Sequence, residues 1–199
     1  MYFPNAKALI LNFSASEYFL PPFMESMPKL KVLMIVNHNS KCVTLKGISV
    51  FSSLTQLKFV WLERVIVPPL QEYCQSWKKL EKLSFILCEG FGNMSRLHLG
   101  LHLYFPHISE ITIDHCSNLE ELPVTVCNMP SLQRLSITNC DDLLRLPDDI
   151  GNLNSLQMLR LYAFFSLEKL PYLIFNLQQL QFLDISLCGC IKQLLDELG

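Results

Sequence analysis

The chain has 199 residues, half of them apolar and only 17% charged, with a formal net charge of −2. It is too apolar for a disordered chain, and its seven glycines exclude collagen-like and glycine-rich architectures. A net charge near zero gives no reason to expect nucleic acid as the main partner, and no apolar run approaches the roughly 18 residues of a membrane-spanning helix. The charge is unevenly spread, however. Residues 1–99 hold 11 Lys/Arg against 6 Asp/Glu, and residues 100–199 hold 5 against 12. Halves of opposite sign suggest two different surroundings. Met1–Lys7 has no basic stretch leading into an apolar block, so a secretory signal is not expected. Eight cysteines without such a signal read as reduced thiols. The expected location is cytoplasmic, with nuclear access.

Internal repetition organises the chain from end to end. A frame L-x-x-L-x-L fits at Ala6/Leu9/Leu11, Leu30/Leu33/Ile35, Leu54/Leu57/Phe59 and Leu80/Leu83/Phe85. It continues at Ile108/Ile111/Ile113, Leu132/Leu135/Ile137, Leu156/Leu159/Leu161 and Leu180/Leu183/Ile185. The anchors are 6, 30, 54, 80, 108, 132, 156 and 180. Alternation of leucines suits a short strand in each unit, centred near residues 10, 34, 58, 84, 112, 136, 160 and 184. The second half of the unit also recurs. Leu20-Pro21 precedes Met24 and Met27, and Leu122-Pro123 precedes Val126 and Met129. Leu146-Pro147 precedes Ile150 and Leu153, and Leu170-Pro171 precedes Ile174 and Leu177. Apolar residues three apart suit a short helical or 3₁₀ return with proline at its first position. One such unit cannot bury its own apolar face, whereas stacked neighbours can. The expected fold is α/β: a leucine-rich-repeat solenoid, a right-handed β/α horseshoe with a curved parallel sheet of about eight short strands. Residues 1–199 form one domain in this reading, with the extra residues of the longest units in an irregular convex loop over Cys88–Tyr104. Leu194, Leu195 and Leu198 leave an apolar last turn, and poor solubility of the isolated chain is expected from it.

Residues that could carry chemistry have simpler structural readings. The position eight after each anchor holds Ser14, His38, Leu62, Cys88, Cys116, Cys140, Phe164 and Cys188, and is expected to point inward after the strand. Cys there acts as a small hydrophobe with a weak donor. Cys188-Gly189-Cys190 lacks a second pair at zinc spacing. His98 and His102, with His107 and His115, do not form an H-E-x-x-H pattern. Asp148-Asp149 suit the positive end of a helical turn, and Glu120-Glu121 a solvated turn. No phosphate-cradling G-x-x-x-x-G-K-S/T run is present. No enzyme activity, metal or cofactor is expected of this chain.

Function is expected on the strand residues between the leucines, which face out of the sheet. In the first two units these are Ala8, Ile10, Asn12, then Val32, Met34 and Val36. Such an apolar patch at positions that should be wet marks a protein contact. Lys58, Val60 and Ile86 follow, and then the polar set Glu110, Asp114, Arg134, Arg160, Tyr162 and Asp184. Eight strands give a lining of roughly 34 Å, the scale of a protein or peptide partner.

The phrases Ile111-Thr-Ile-Asp-His-Cys-Ser-Asn-Leu-Glu-Glu-Leu-Pro and Leu135-Ser-Ile-Thr-Asn-Cys-Asp-Asp-Leu resemble the C-terminal repeats of plant nucleotide-binding leucine-rich-repeat immune receptors (NLRs), as does Leu146-Pro-Asp-Asp-Ile-Gly-Asn-Leu. The opening Tyr2-Phe-Pro-Asn-Ala-Lys-Ala-Leu-Ile-Leu-Asn-Phe resembles the helper subgroup, which bears a powdery-mildew-resistance-type coiled coil. The resemblance implies plant defence signalling, with contacts to the receptor's own nucleotide-binding domain and to lipase-like immune adaptor proteins. ATP/ADP switching would belong to a nucleotide-binding domain absent from these residues, as is the coiled coil. A ubiquitin-ligase repeat adaptor and a truncated, non-functional receptor fragment are the alternatives.

Overall fold

The computed structural model describes residues 2–69, 77–91, 103 and 105–191. In chain order the strands are β1 (Ala8–Phe13), β2 (Glu17–Phe19), β3 (Val32–Asn37), β4 (Thr44–Lys46) and β5 (Phe59–Glu63). They continue with β6 (Lys82–Ile86), β7 (Glu110–Asp114), β8 (Arg134–Thr138), β9 (Met158–Tyr162) and β10 (Phe182–Asp184). Eight of them form one sheet in the order β1-β3-β5-β6-β7-β8-β9-β10, every pair parallel. Strands β2 and β4 pair separately, beyond the ends of β1 and β3.

Repetition produces repeated bonding. The carbonyl of the residue just before each strand's first residue accepts two amides from the following unit. Lys7 O accepts from Lys31 N and Val32 N at 2.8 and 3.0 Å, and Lys31 O from Lys58 N and Phe59 N at 2.8 and 3.0 Å. The same pair of bonds recurs at Lys58, Glu81, Ser109, Gln133 and Gln157. Strands β3, β5, β6, β7, β8 and β9 each drive two apolar side chains inward, such as Leu33 and Ile35 or Leu159 and Leu161, which are fully buried. Burying one such side chain contributes about 1.5–3 kcal/mol.

Strand exits follow one rule with an exception. Arg64, Leu87, His115, Asn139, Ala163 and Leu187 all adopt positive φ between 49° and 58° directly after or near the strand end. This left-handed step costs an L-residue about 1–2 kcal/mol, and a bond to the next unit offsets it in five of the six. Leu87 N donates to Asp114 O at 2.8 Å, and Arg64, His115, Asn139 and Ala163 do the same to their following units. The residue that follows the step turns inward: Val65, Cys88, Cys116, Cys140 and Phe164 are buried, and Cys188 is partly so. Units one and two have no such step. Their strands run one residue further, and Ser14 and His38 are exposed rather than inward. Asn37 takes that inward role at 0% exposure. Its Nδ2 donates to Lys41 O and Arg64 O, and its Oδ1 accepts from Ala15 N and Asn39 N.

The third unit corrects the sequence frame. Val32 pairs with Phe59 and Leu33 with Val60, so the frame there is Leu57/Val60/Leu62, three residues later than the equal-spacing reading. Val60 and Leu62 are fully buried, and Leu62 is a strand residue rather than a post-strand one. Both frames satisfy the same leucine pattern. The later one wins because it places Leu57, Val60 and Leu62 at zero exposure together.

Among the described residues the returns are the 3₁₀ turns Pro22–Ser26, Ile48–Ser53, Asp148–Asn152 and Tyr172–Asn176, with one α-helical turn, α1 (Val124–Cys127). In all four Leu-Pro returns the proline sits one residue before the first helical position, and its carbonyl accepts the first turn bond, as in Met24 N to Pro21 O at 3.0 Å. Ile150 N donates to Pro147 O at 3.1 Å, Ile174 N to Pro171 O at 3.1 Å, and Val126 N to Pro123 O at 2.9 Å. Successive returns touch closely at Gly151, where a Cβ would lie 2.3 Å from Leu173 O. Most of the proposed convex loop, with His98 and His102, lies outside the described residues, as do Leu194, Leu195 and Leu198.

Two stability outcomes follow from this packing. Leu159→Ala should cost about 2–5 kcal/mol of unfolding free energy, as a large-to-small change at a site with no exposure. Gly151→Ala should cost about 1–3 kcal/mol, because the returns must move apart. Urea titration followed by far-UV circular dichroism measures both. A Gly151→Ala variant as stable as the parent would mean the two returns do not meet.

Candidate interaction face on the parallel sheet

The register aligns the outward residues into three columns that cross the strands. The first reads Ala8, Val32, Phe59, Lys82, Glu110, Arg134, Met158, Phe182. The second reads Ile10, Met34, Trp61, Ser84, Thr112, Ser136, Arg160, Asp184. The third begins Asn12, Val36, Glu63, Ile86, Asp114, Thr138, Tyr162.

Of the fifteen residues expected on this face, thirteen are placed on it. Val60 is not: it is core, and Lys58 precedes the strand at the rim, paired with Glu81. Both errors come from the slipped third frame. The residues missed for the same reason are Phe59, Trp61 and Glu63. Their signal was the second leucine frame at Leu57/Val60/Leu62. Val36 is on the face but only 9% exposed, packed between its partners Asn12 and Glu63. The apolar end therefore consists of exposed Ile10 with half-buried Val32 and Met34, and it extends onto Phe59 and Trp61, whose rings meet edge-to-face at 6.4 Å.

Charge on the face is largely self-paired across strands. Glu110 Oε2 accepts from Lys82 Nζ at 2.9 Å and from Arg134 Nη2 at 2.9 Å, a three-strand ladder. Burial opposes ionisation of Glu110, but the bonds and charges of Lys82 and Arg134 outweigh it and hold the carboxyl below its usual range. Asp114 Oδ1 accepts from Thr138 Oγ1, from Asn139 Nδ2 at 2.8 Å and from His115 Nδ1 at 3.0 Å. Partial burial is again overcome, by Thr138, Asn139 and His115, so Asp114 also sits low. Arg160 bonds Asp184 at 3.0 Å and lies 5.2 Å from the Tyr162 ring centroid. Trp61 Nε1 donates to Glu63 Oε2 at 3.2 Å. A hollow of about 440 Å³ opens between Phe59, Trp61, Ser84, Thr112, Lys82 and Glu110.

Several of the described thiols are held in the protonated form. Burial, with the Glu89 charge, pushes Cys42 up to about 12, and burial with Asp149 does the same to Cys127. Cys116 is raised further by its contacts with Cys140 and Cys88 and by burial. Thiols held protonated in this way are poor nucleophiles. Among the described residues no cluster of three or more His, Cys, Asp or Glu side chains could hold a metal, and no helix is long and apolar enough to cross a membrane.

No family profile matches the chain. Over 132 residues it is 43% identical to the probable disease resistance protein At4g33300 of Arabidopsis thaliana, a match covering 66% of this chain and 16% of that protein. Over 122 residues it is 40% identical to the disease resistance protein ADR1 of the same plant, covering 61% of this chain and 16% of that one. The match thus spans about a sixth of the length of these relatives. Among solved structures, the leucine-rich repeat domain of the type III effector XCV3220 (XopL) superposes with a TM-score of 0.52 at 18% identity, covering 92% of this chain and 77% of that one. The fold is a leucine-rich-repeat solenoid, and the chain is a repeat region related to plant disease resistance proteins.

The lowered carboxyls predict an acid limit. A group whose pKa falls on folding contributes stability that is present above its unfolded value, about 4, and lost as pH drops through the folded value. The urea midpoint should therefore be level from pH 7 to 5 and fall below that. Asp114→Asn should lower the midpoint at pH 7, with the gap to the parent closing as pH falls below about 4. A gap that stays constant from pH 7 to 3 would show that the Asp114 charge contributes nothing.

Proposed function

We propose that this chain is a non-catalytic protein-interaction region of a plant intracellular immune receptor, acting in defence signalling. Its sheet face contacts the rest of its own receptor, including the nucleotide-binding domain, and lipase-like immune adaptor proteins. The observation that carries this reading is the gradient along the second column, from Ile10, Met34 and Trp61 to Arg160 and Asp184. Apolar surface suits a lasting contact, and paired polar surface a reversible one. The basic, apolar first half is assigned to the receptor's own body and the acidic second half to the adaptor. Electrostatics then sets the on-rate of the second contact and makes it sensitive to salt. The 43% identity to a probable disease resistance protein supports the receptor context. ATP or ADP would bind elsewhere in such a receptor.

The test grafts these repeats into a full-length helper receptor. Ile10→Asp with Met34→Asp should release autoinhibition, read as defence-associated cell death without a pathogen. Arg160→Glu with Asp184→Lys should leave the receptor quiet and reduce co-purification of adaptors at least tenfold. Normal adaptor capture by the second variant, together with its loss in the first, would reverse the assignment.

A further inference from the structure

Between Trp61 on β5 and Arg160 on β9, the second column carries three small hydroxyl residues in succession: Ser84, Thr112 and Ser136. Larger side chains flank them on both sides. The Lys82–Glu110–Arg134 ladder forms one bank, and Ile86, Asp114 and Thr138 the other. The row of small residues forms a trough across the strands: the hollow opens at its Phe59 and Trp61 end, over Ser84 and Thr112, and Arg160, over the Tyr162 ring, follows Ser136 at the other end.

The floor is a row of hydroxyls without partners among the described residues. Ser84 is only 7% exposed and lines the hollow, yet its hydroxyl has no hydrogen-bond partner among the described residues. Its oxygen is not sealed off either, since the one fully enclosed orphan among the described side chains is Thr125 Oγ1. Solvent therefore reaches this oxygen, and a ligand's polar group can take the place of that water. The Thr112 and Ser136 hydroxyls are likewise unpartnered among the described residues. Hydroxyls donate or accept, so a row of them suits the alternating N–H and C=O groups of an extended backbone.

Charge and length narrow the occupant. Lys82 and Arg134 share the single Glu110 carboxylate, which leaves one positive charge over on that bank. Asp114, on the other bank, is held by three donors. From β5 to β8 is three strand spacings, about 14 Å, and four residues of extended chain span about 13 Å. Side chains four apart on an extended segment point the same way.

Resting on the reading of this face as a protein contact, we propose that the trough binds an extended peptide segment of a partner protein, carrying an aromatic or long aliphatic side chain against Phe59 and Trp61 and a carboxylate four residues along that pairs with Arg134. The bound segment crosses the strands over Ser84, Thr112 and Ser136. It hydrogen-bonds their hydroxyls through its main chain.

The experiment pans a random 12-residue peptide display library on the full chain, and measures the most enriched peptide as a synthetic, fluorescein-labelled probe by fluorescence polarisation. The expected enriched sequences place Phe, Trp, Leu, Ile or Met four residues from Asp or Glu in either chain direction. Thr112→Leu fills the floor at a half-buried position and should raise Kd at least tenfold, and Ser84→Ala removes one floor hydroxyl and should raise it several-fold. Exchanging the probe's acidic residue for Lys should do the same as Thr112→Leu. Melting curves identify any variant that has not folded, and Phe175→Ala, outside the sheet, should bind as the parent does. Enrichment without the pattern, no enrichment, or unchanged affinity in a folded Thr112→Leu variant overturns the proposal. Any of those results combined with adaptor loss in the Arg160/Asp184 receptor variant removes the trough ligand and leaves the protein-contact reading standing.

Discussion

Every feature of this protein depends on a backbone carbonyl that one unit offers to the next. Lys7, Lys31, Lys58, Glu81, Ser109, Gln133 and Gln157 each accept two amides from the following unit. These bonds fix where each strand begins relative to its neighbour. Because side chains alternate across a strand, a slip of one residue there would exchange core for surface along a whole unit. Fixing the entry thus fixes the three outward columns as well as the buried leucines. No single unit can make these bonds alone, so stability is shared between neighbours rather than held within a unit.

The columns turn sequence-distant residues into neighbours about 4.8 Å apart. Lys82, Glu110 and Arg134 are more than 20 residues apart in the chain and become one ion ladder. Ion pairs at half-exposed positions contribute little to stability, with a median of about 0–1 kcal/mol. Their larger effect is to fix side chains as banks of a trough whose floor is Ser84, Thr112 and Ser136. The same alignment sets the Trp61 and Phe59 rings beside that floor. The face therefore gains a shaped, partly apolar recess from residues that individually look ordinary.

The sheet was legible in the sequence wherever leucines and period agreed. Seven strand centres fall where the repeat places them, and the inward Cys88, Cys116 and Cys140 follow from the same frame. The third unit was not legible because Leu57 belongs to two overlapping frames, and equal spacing favoured the wrong one. Choosing between them needs the pairing of Leu33 with Val60, which is a tertiary fact. That slip hid Phe59, Trp61 and Glu63, and put buried Val60 on the surface. The first two strand exits were misread for a related reason. Asn37 bonds the loop from inside the strand, so His38 turns out to solvent. Gly151 was silent in the sequence because its role is a close approach to a return one unit away.

The central claim is that the sheet face, and not the side of the helical returns, meets partners. Hydroxyl-radical footprinting of a full-length receptor carrying these repeats tests it directly, comparing the whole receptor with the isolated chain and then with the adaptor-bound complex. Met34 and Trp61 should be protected in the receptor, and Tyr162 should gain protection when the adaptor binds. Tyr172 and Phe175, exposed on a return, should react equally in all three states. Protection of Tyr172 and Phe175 with unchanged Met34, Trp61 and Tyr162 would contradict the account.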